Sequence, residues 1–146
     1  MLRGLGRWLR AAGYDTAIAH GGASDGDVLA RAARESRVLL TRDRQLAERA
    51  TTPVVLLPSG GLQAEAAVLS AALGIDWMHA PLTRCLVDNT PLGTAGAAQL
   101  ARVPQRAREL GGPVRGCPTC GRVYWPGSHV RRMLRRLADW QASGSR

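Results

Sequence analysis

An α/β domain with a parallel sheet, followed by a small metal-stapled segment, is the fold class that this 146-residue sequence predicts. Three observations carry the expectation. Short apolar runs alternate with stretches of helical periodicity up to residue 74, the pattern of crossover units. After residue 76 the periodicity fades and proline, glycine and small residues dominate. Within that second part stand Cys85 and the pair Cys117-Pro-Thr-Cys120, and a two-residue gap between cysteines is a metal-ligand spacing.

Taken in order, Leu2, Leu5, Leu9 and Ala12 fall at helical spacing with Arg3, Arg7 and Arg10 on the other side, which predicts an amphipathic helix ended by Gly13. Tyr14 to Ala19 reads as a short strand. Ser24 is placed to cap a second helix whose apolar face is Val28, Leu29, Ala32 and Ala33. Val38-Leu39-Leu40 reads as a buried strand, Arg44 to Ala50 as a helical turn or two, and Pro53 to Leu57 as another apolar strand. Leu62 to Leu73 is an Ala-rich helix stopped by Gly74. An α/β domain normally opens with a strand, whereas this order opens with a helix, so a strand is expected upstream of Met1. A domain boundary is expected near Ala80. From about Val130 the chain closes with a basic amphipathic helix, Met133, Leu134, Leu137 and Trp140 on one face and Arg131, Arg132, Arg135 and Arg136 over the rest. With no Phe available, the core is expected to be built from Leu, Val and Ala.

Charge narrows the function. Twenty basic residues stand against 11 acids, a formal charge of +9, and arginine carries the positive charge. That balance favours a polyanionic partner, because guanidinium groups neutralise phosphates and suit base edges; the plainer alternative is solubility alone. Three cysteines make an odd number, which argues against a closed disulfide framework and for a reducing compartment. No apolar run approaches the roughly 20 residues of a membrane span, and the basic N-terminus lacks the apolar stretch of a signal peptide. A cytoplasmic protein is expected.

In an open parallel sheet, ligands bind beyond the carboxyl ends of the strands. Asp43 follows the strand at Val38-Leu39-Leu40, and Asp25 follows the segment Tyr14 to Ala19 at the start of the next helix. Carboxylates converging there would hold Mg²⁺ or Mn²⁺, which takes oxygen ligands, polarises a phosphodiester and lowers the pKa of a bound water. Structural readings stand beside this one. Asp25 suits the positive end of a helix, and Asp43 suits the cap of the helix after it. Asp27 reads as a solvated first-turn residue, although spacing leaves it open as a ligand.

Gly6-Arg7-Trp8-Leu9-Arg10, Gly13-Tyr14-Asp15-Thr16, Ser24-Asp25, Leu39-Leu40-Thr41-Arg42-Asp43, Cys117-Pro-Thr-Cys120-Gly121 and Val123-Tyr124-Trp125-Pro-Gly127-Ser128-His129 follow one another in order. Together they resemble the C-terminal RNase domain family named after the Mut-seven exonuclease, over residues 2 to about 130. The resemblance implies a PIN-like parallel sheet flanked by helices and a small C-terminal zinc ribbon. Residues 1–79 would form the nuclease domain without the family's first strand, 80–130 the ribbon, and 131–146 a basic helix and tail. It further implies a metal-dependent ribonuclease with Asp25 and Asp43 as the catalytic acids that hold Mg or Mn. Arg42, beside Asp43, together with Arg7 and Arg122, is a candidate for contact with substrate RNA, an ordinary surface arginine being the alternative. Two departures from the family are evident. The family's first strand, which ends in an aspartate, would precede Met1. Where the family has its first Cys-x-x-Cys pair, this chain has Cys85-Leu-Val-Asp88. The implied zinc ligands are therefore Cys85, Asp88, Cys117 and Cys120, with His129 an alternative fourth ligand and a site without metal a further possibility. A ribbon of this size is expected to have almost no core of its own, and to present Arg115, Arg122 and the pair Tyr124-Trp125 either to RNA or to its own packing. Two other functions remain open: a non-catalytic RNA-binding protein that has lost its first acid, and a zinc-ribbon module that binds protein.

Overall fold

The apolar stripe at the N-terminus folds as helix α1 (Arg3–Ala11) in the computed structural model, which describes residues 2–145. Gly13 ends the helix, with φ at +101°, and a Cβ there would lie 2.4 Å from the carbonyl oxygen of Ala80. Only glycine fits so close a backbone approach in that conformation.

The described chain falls into two units. One is Ile18–Ile75 with the N-terminal residues up to Leu5; the other is Gly6–Ala17 with the chain from Asp76 onward. The sequence pattern assigned residues 6–17 to the N-terminal part and put the boundary near Ala80. Bonding explains the different grouping. Ala80 and Leu82 donate their N–H groups to Ala12 and Ala11, and the side chain of Arg10 reaches the carbonyls of Leu86 and Val87.

In the first unit, α2 (Asp25–Arg34) is followed by β1 (Leu39–Thr41), α3 (Arg44–Glu48), β2 (Val54–Leu56) and α4 (Gly61–Leu73). Ser24 closes a capping box on α2: its hydroxyl accepts from the Asp27 N–H at 3.1 Å, and the Asp27 carboxylate accepts from the Ser24 N–H at 3.2 Å. Asp27 is thus a capping residue rather than simply a solvated one. β1 and β2 pair in parallel, Leu39 opposite Val54 and Thr41 opposite Leu56. Leu39, Leu46, Val55, Leu57, Ala66 and Leu69 are buried, while Val38, Val54 and Leu56 are exposed, so the strands bury one face only. α4 stops at Gly74, which takes the left-handed conformation at φ 62°.

The strand expected at Tyr14 to Ala19 does not form. The backbone of this segment is held by side chains instead of by a neighbouring strand. The Thr16 N–H donates to Oδ1 of Asn89 at 3.0 Å, and the Thr16 carbonyl accepts from Nε of Arg10 at 2.8 Å. Tyr14 stacks on His79 with ring centroids 5.0 Å apart, and its hydroxyl accepts from the Asp76 N–H.

The second unit contains β3 (Gly93–Thr94), α5 (Ala97–Leu100), α6 (Gln105–Glu109), β4 (Arg115–Gly116), β5 (Val123–Tyr124) and α7 (Ser128–Gly144). The three short strands form an antiparallel sheet in the order β3-β4-β5. α5 and α6 occupy the stretch where periodicity fades, too short for a helical repeat to register. Leu82, Leu86, Ala95 and Val103 are buried in the folded chain, so residues 80–130 are not without buried apolar side chains. Nor is the core only Leu, Val and Ala. Trp77 and Trp140 are almost fully buried and meet edge to face at 4.9 Å, and Trp8 meets Trp140 the same way at 5.1 Å. Met133, Leu137 and Trp140 form the buried stripe of α7, as its spacing predicts.

Candidate metal centre and acidic site

Two turns of the same construction carry the four candidate metal-ligand residues. In the first, the Cys85 N–H donates to the Thr90 carbonyl, the Asn89 N–H donates to the Cys85 carbonyl, and Asn89 has φ 71°. In the second, the Cys117 N–H donates to the Arg122 carbonyl, the Gly121 N–H donates to the Cys117 carbonyl, and Gly121 has φ 75°. The positive φ falls on Asn in one turn and Gly in the other, the residues that adopt it at least cost. Register then decides the fourth ligand position: Asp88 occupies in the first turn the place that Cys120 occupies in the second.

The side chains converge accordingly. One donor atom from each of Cys85, Asp88, Cys117 and Cys120 lies within 4.8 Å of every other. Sγ of Cys85 and Cys120 are 3.6 Å apart, and Sγ of Cys117 is 3.3 and 3.5 Å from the two oxygens of Asp88. Sulfurs bonded tetrahedrally to one ion at about 2.3 Å would be separated by ~3.8 Å, and a sulfur and a carboxylate oxygen by ~3.5 Å. The spacing and the donor types fit a four-coordinate metal ion. His129 stands elsewhere, in the first turn of α7.

The electrostatics of the set point the same way. Burial works to raise the Asp88 pKa, but hydrogen bonds from the Thr90 N–H and hydroxyl and from the two thiols outweigh it and hold the carboxyl well below its ordinary range. At Cys120 the Arg122 N–H favours the thiolate, yet burial and the neighbouring Cys117, Cys85 and Asp88 push the thiol up to about 12. Crowded anionic groups resist losing their last proton, and a divalent cation relieves that repulsion.

Two residues support this centre that the sequence reading did not place there. The Leu86 N–H donates to the Tyr124 hydroxyl at 3.0 Å, which leaves the phenolic proton for Sγ of Cys85 at 3.3 Å. Arg10, expected on the solvated face of its helix, is only 5% exposed. Its Nη1 donates to the carbonyls of Leu86 at 3.1 Å and Val87 at 2.8 Å, which anchors the first turn to α1. Burial lowers the Arg10 pKa, and the adjacent Cys85 and Asp88 counteract that shift. The periodicity of α1 conceals this role, because helical spacing alone gives no sign that Arg10 will find carbonyl partners 76 residues away.

The acids of the first unit are arranged differently. Asp43 caps α3, its Oδ1 accepting from the Leu46 N–H at 3.1 Å. Asp25 opens α2 and pairs with Arg49 at 3.2 Å, both side chains more than half exposed, an interaction of little strength in water. Among the described residues, the Cys–Asp set is the only group of three or more potential ligands, and it includes neither Asp25 nor Asp43. Arg42, beside Asp43, gives its Nε to Glu65 at 2.8 Å, and Nη2 contacts the same carboxylate oxygen. Glu65 is 1% exposed. Its position is legible in the sequence only as an acid set into the apolar stripe Leu62, Ala66 and Leu69 of α4. Arg7 and Arg122 are exposed, Arg122 on the turn that carries Cys117 and Cys120.

These features define a mixed α/β protein with a centre able to hold a metal ion. The Mut7-C RNAse domain family model matches residues 1–137, nearly the whole chain, and the protein belongs to that family. No curated protein and no solved structure matches it.

Proposed function

We propose that the protein is a metal-dependent ribonuclease that hydrolyses RNA phosphodiester bonds, with zinc in a structural role at the Cys–Asp centre. The observation that carries this reading is the family match across residues 1–137. Asp25 and Asp43 are the residues that would hold Mg²⁺ or Mn²⁺. Such ions are commonly held by one or two carboxylates together with substrate phosphate, so the role requires no more than these two acids. A bound ion would polarise the phosphodiester and supply hydroxide at neutral pH. The chain's own part is to present the carboxylates. A capping oxygen keeps further lone pairs, so Asp43 can cap α3 and still bind a cation. The weak surface pair with Arg49 leaves Asp25 available. Arg42, aligned by the buried Glu65, contributes a fixed positive charge for phosphate, and Arg7 and Arg122 contribute exposed ones.

Cys85, Asp88, Cys117 and Cys120 would hold the zinc, whose preference for tetrahedral sulfur and nitrogen sites that also admit carboxylate suits this donor set. Their three free thiols accord with a reducing, cytoplasmic setting. No helix among the described residues is long and apolar enough to cross a membrane.

A second reading, a non-catalytic RNA-binding protein, is favoured by one observation: Asp25 and Asp43 each already have a structural partner. The two readings separate on cleavage of labelled single-stranded RNA with Mn²⁺ by the parent protein and Asp43→Asn. Asparagine is as good a helix cap as aspartate, so folding is expected to be unchanged. Cleavage by the parent, lost in the variant with RNA binding intact, is the result expected of a ribonuclease. Binding without cleavage by either protein would favour the second reading.

A further inference from the structure

We infer that α7 and the second half of α1 form a groove for single-stranded RNA, built from none of the residues assigned to cleavage. The groove has a volume of about 430 Å³, and Trp8, His129, Arg132, Arg135, Arg136 and Asp139 line it. The inference rests on the ribonuclease reading for the choice of RNA among polyanions; the groove itself rests on the following observations.

Charge complementarity comes first. Three arginines and a histidine face one acid in this groove. Among the described residues no ion pair engages Arg132 or Arg135, and both are exposed. The imbalance extends over the whole unit. Gly6–Ala17 and the chain from Asp76 onward hold thirteen arginines against five acids, whereas the remainder holds seven against six. Attraction for a polyanion therefore resides in the second unit, and an acidic chain is the occupant it fits.

Aromatic geometry then selects among polyanions. The Arg136 guanidinium carbon lies 5.9 Å from the ring centre of Trp8 and 5.7 Å from that of Trp140. Trp140 is itself fixed edge-on between Trp8 and Trp77. Arg136 is thus held against two indoles while, among the described residues, no carboxylate pairs with it, so little side-chain freedom is lost when it meets a phosphate. Trp8 is half-buried and borders the groove. An indole beside arginine is a platform for unstacked bases, which a duplex keeps stacked on one another. Asp139 offers an acceptor to base amino groups. Phosphate charge with accessible bases describes single-stranded RNA.

The test is fluorescence anisotropy of a labelled oligouridylate, without added Mg²⁺ or Mn²⁺, across a series of salt concentrations. The variants are Arg132→Gln/Arg135→Gln and a charge-matched control on α6, Arg106→Gln/Arg108→Gln. The groove variant is expected to bind at least ~10-fold more weakly and to lower the salt slope by about 1.4, two phosphate contacts at roughly 0.7 each. The control is expected to lose far less. Equal loss in both variants, no loss in either, or equal affinity of the parent for duplex RNA would overturn the proposal. Cleavage assays keep its failure distinct from that of the ribonuclease reading. If the parent cleaves RNA but the groove variant binds as the parent does, the groove falls alone. If the groove variant loses binding and the parent never cleaves, the groove stands and the nuclease reading falls.

Discussion

Replacing Arg10 by methionine asks how much one buried cation contributes to the metal centre. Methionine fills similar volume without offering a donor. The change removes three hydrogen bonds, to Thr16 at 2.8 Å, Leu86 at 3.1 Å and Val87 at 2.8 Å. Bonds from a charged donor contribute about 1.5–3 kcal/mol each. They do not simply add. Val87 is exposed, so its carbonyl can recruit water, and burying the guanidinium already costs something, as the downward shift of its pKa indicates. Two bonds less that burial cost leave a net loss of about 3 kcal/mol. For a chain of this size each kcal/mol corresponds to about 3 °C, which puts the melting temperature ~10 °C lower. A second effect should accompany the first. Arg10 orients the turn that bears Cys85 and Asp88, and loss of a partner of this kind typically weakens metal binding about 10–100-fold. Thermal melting followed by circular dichroism measures the first effect, and competition with a chromogenic zinc chelator measures the second. Arg10→Lys should restore only part of both, since one ammonium cannot span three carbonyls. A melting temperature within ~3 °C of the parent's, with unchanged zinc affinity, would refute the reasoning.

Three further outcomes are expected. Tyr124→Phe keeps the ring and removes the hydroxyl that bridges Leu86 and Cys85, so zinc should bind about 10-fold more weakly or worse in the same competition assay. Glu65→Ala leaves a cavity and frees Arg42, which is already partly exposed; a loss of about 2–3 kcal/mol in urea unfolding is expected, and a smaller loss for Glu65→Met. The Asp27 pKa is lowered from 3.8 by hydrogen bonds from the Ser24 hydroxyl and N–H. A depressed folded-state pKa stabilises above the unfolded value, so the cap of α2 should be intact at neutral pH and lost as pH falls below 3.8. Amide chemical shifts of Ser24 and Asp27 followed through acid titration will report it, and Asp27→Asn should flatten the transition.

Patterned elements were legible in the sequence to within a residue or two. α1, α2, β1, α3, β2, α4 and α7 stand where periodicity, Ser24 and the stops at Gly13 and Gly74 placed them. Failures occurred where long-range side-chain bonds overrode local pattern. Tyr14 to Ala19 has a strand's composition, but Asn89 and Arg10 take its backbone groups before any strand can. Arg10 fits a polar helix face by spacing, and its burial depends on carbonyls supplied far along the chain. The metal turns were half legible. Cysteine spacing marks the second turn, whereas the first shows itself by the match of Asn89 to Gly121, each one residue beyond the final ligand position and each at positive φ.

That match also explains how a carboxylate can stand in a cysteine's place. A turn closed by its own backbone bonds and by an αL residue does not depend on the ligand side chain for its shape. Exchange of thiolate for carboxylate then alters the donor and its reach while leaving the scaffold intact. Asp88 is further secured by the Thr90 N–H, which accounts for its acceptance among three thiols. The charge of the set adds a constraint. Three thiolates and a carboxylate exceed the charge of a divalent ion by two, and Arg10 and Arg84, which both bond to carbonyls of the same turn, supply compensating positive charge. α1 carries Trp8 two residues earlier, against Trp140 of α7. The proposed metal centre and the proposed RNA groove are therefore joined through one short helix, so that a turn ordered by metal and an arginine ordered by indoles draw on the same packing.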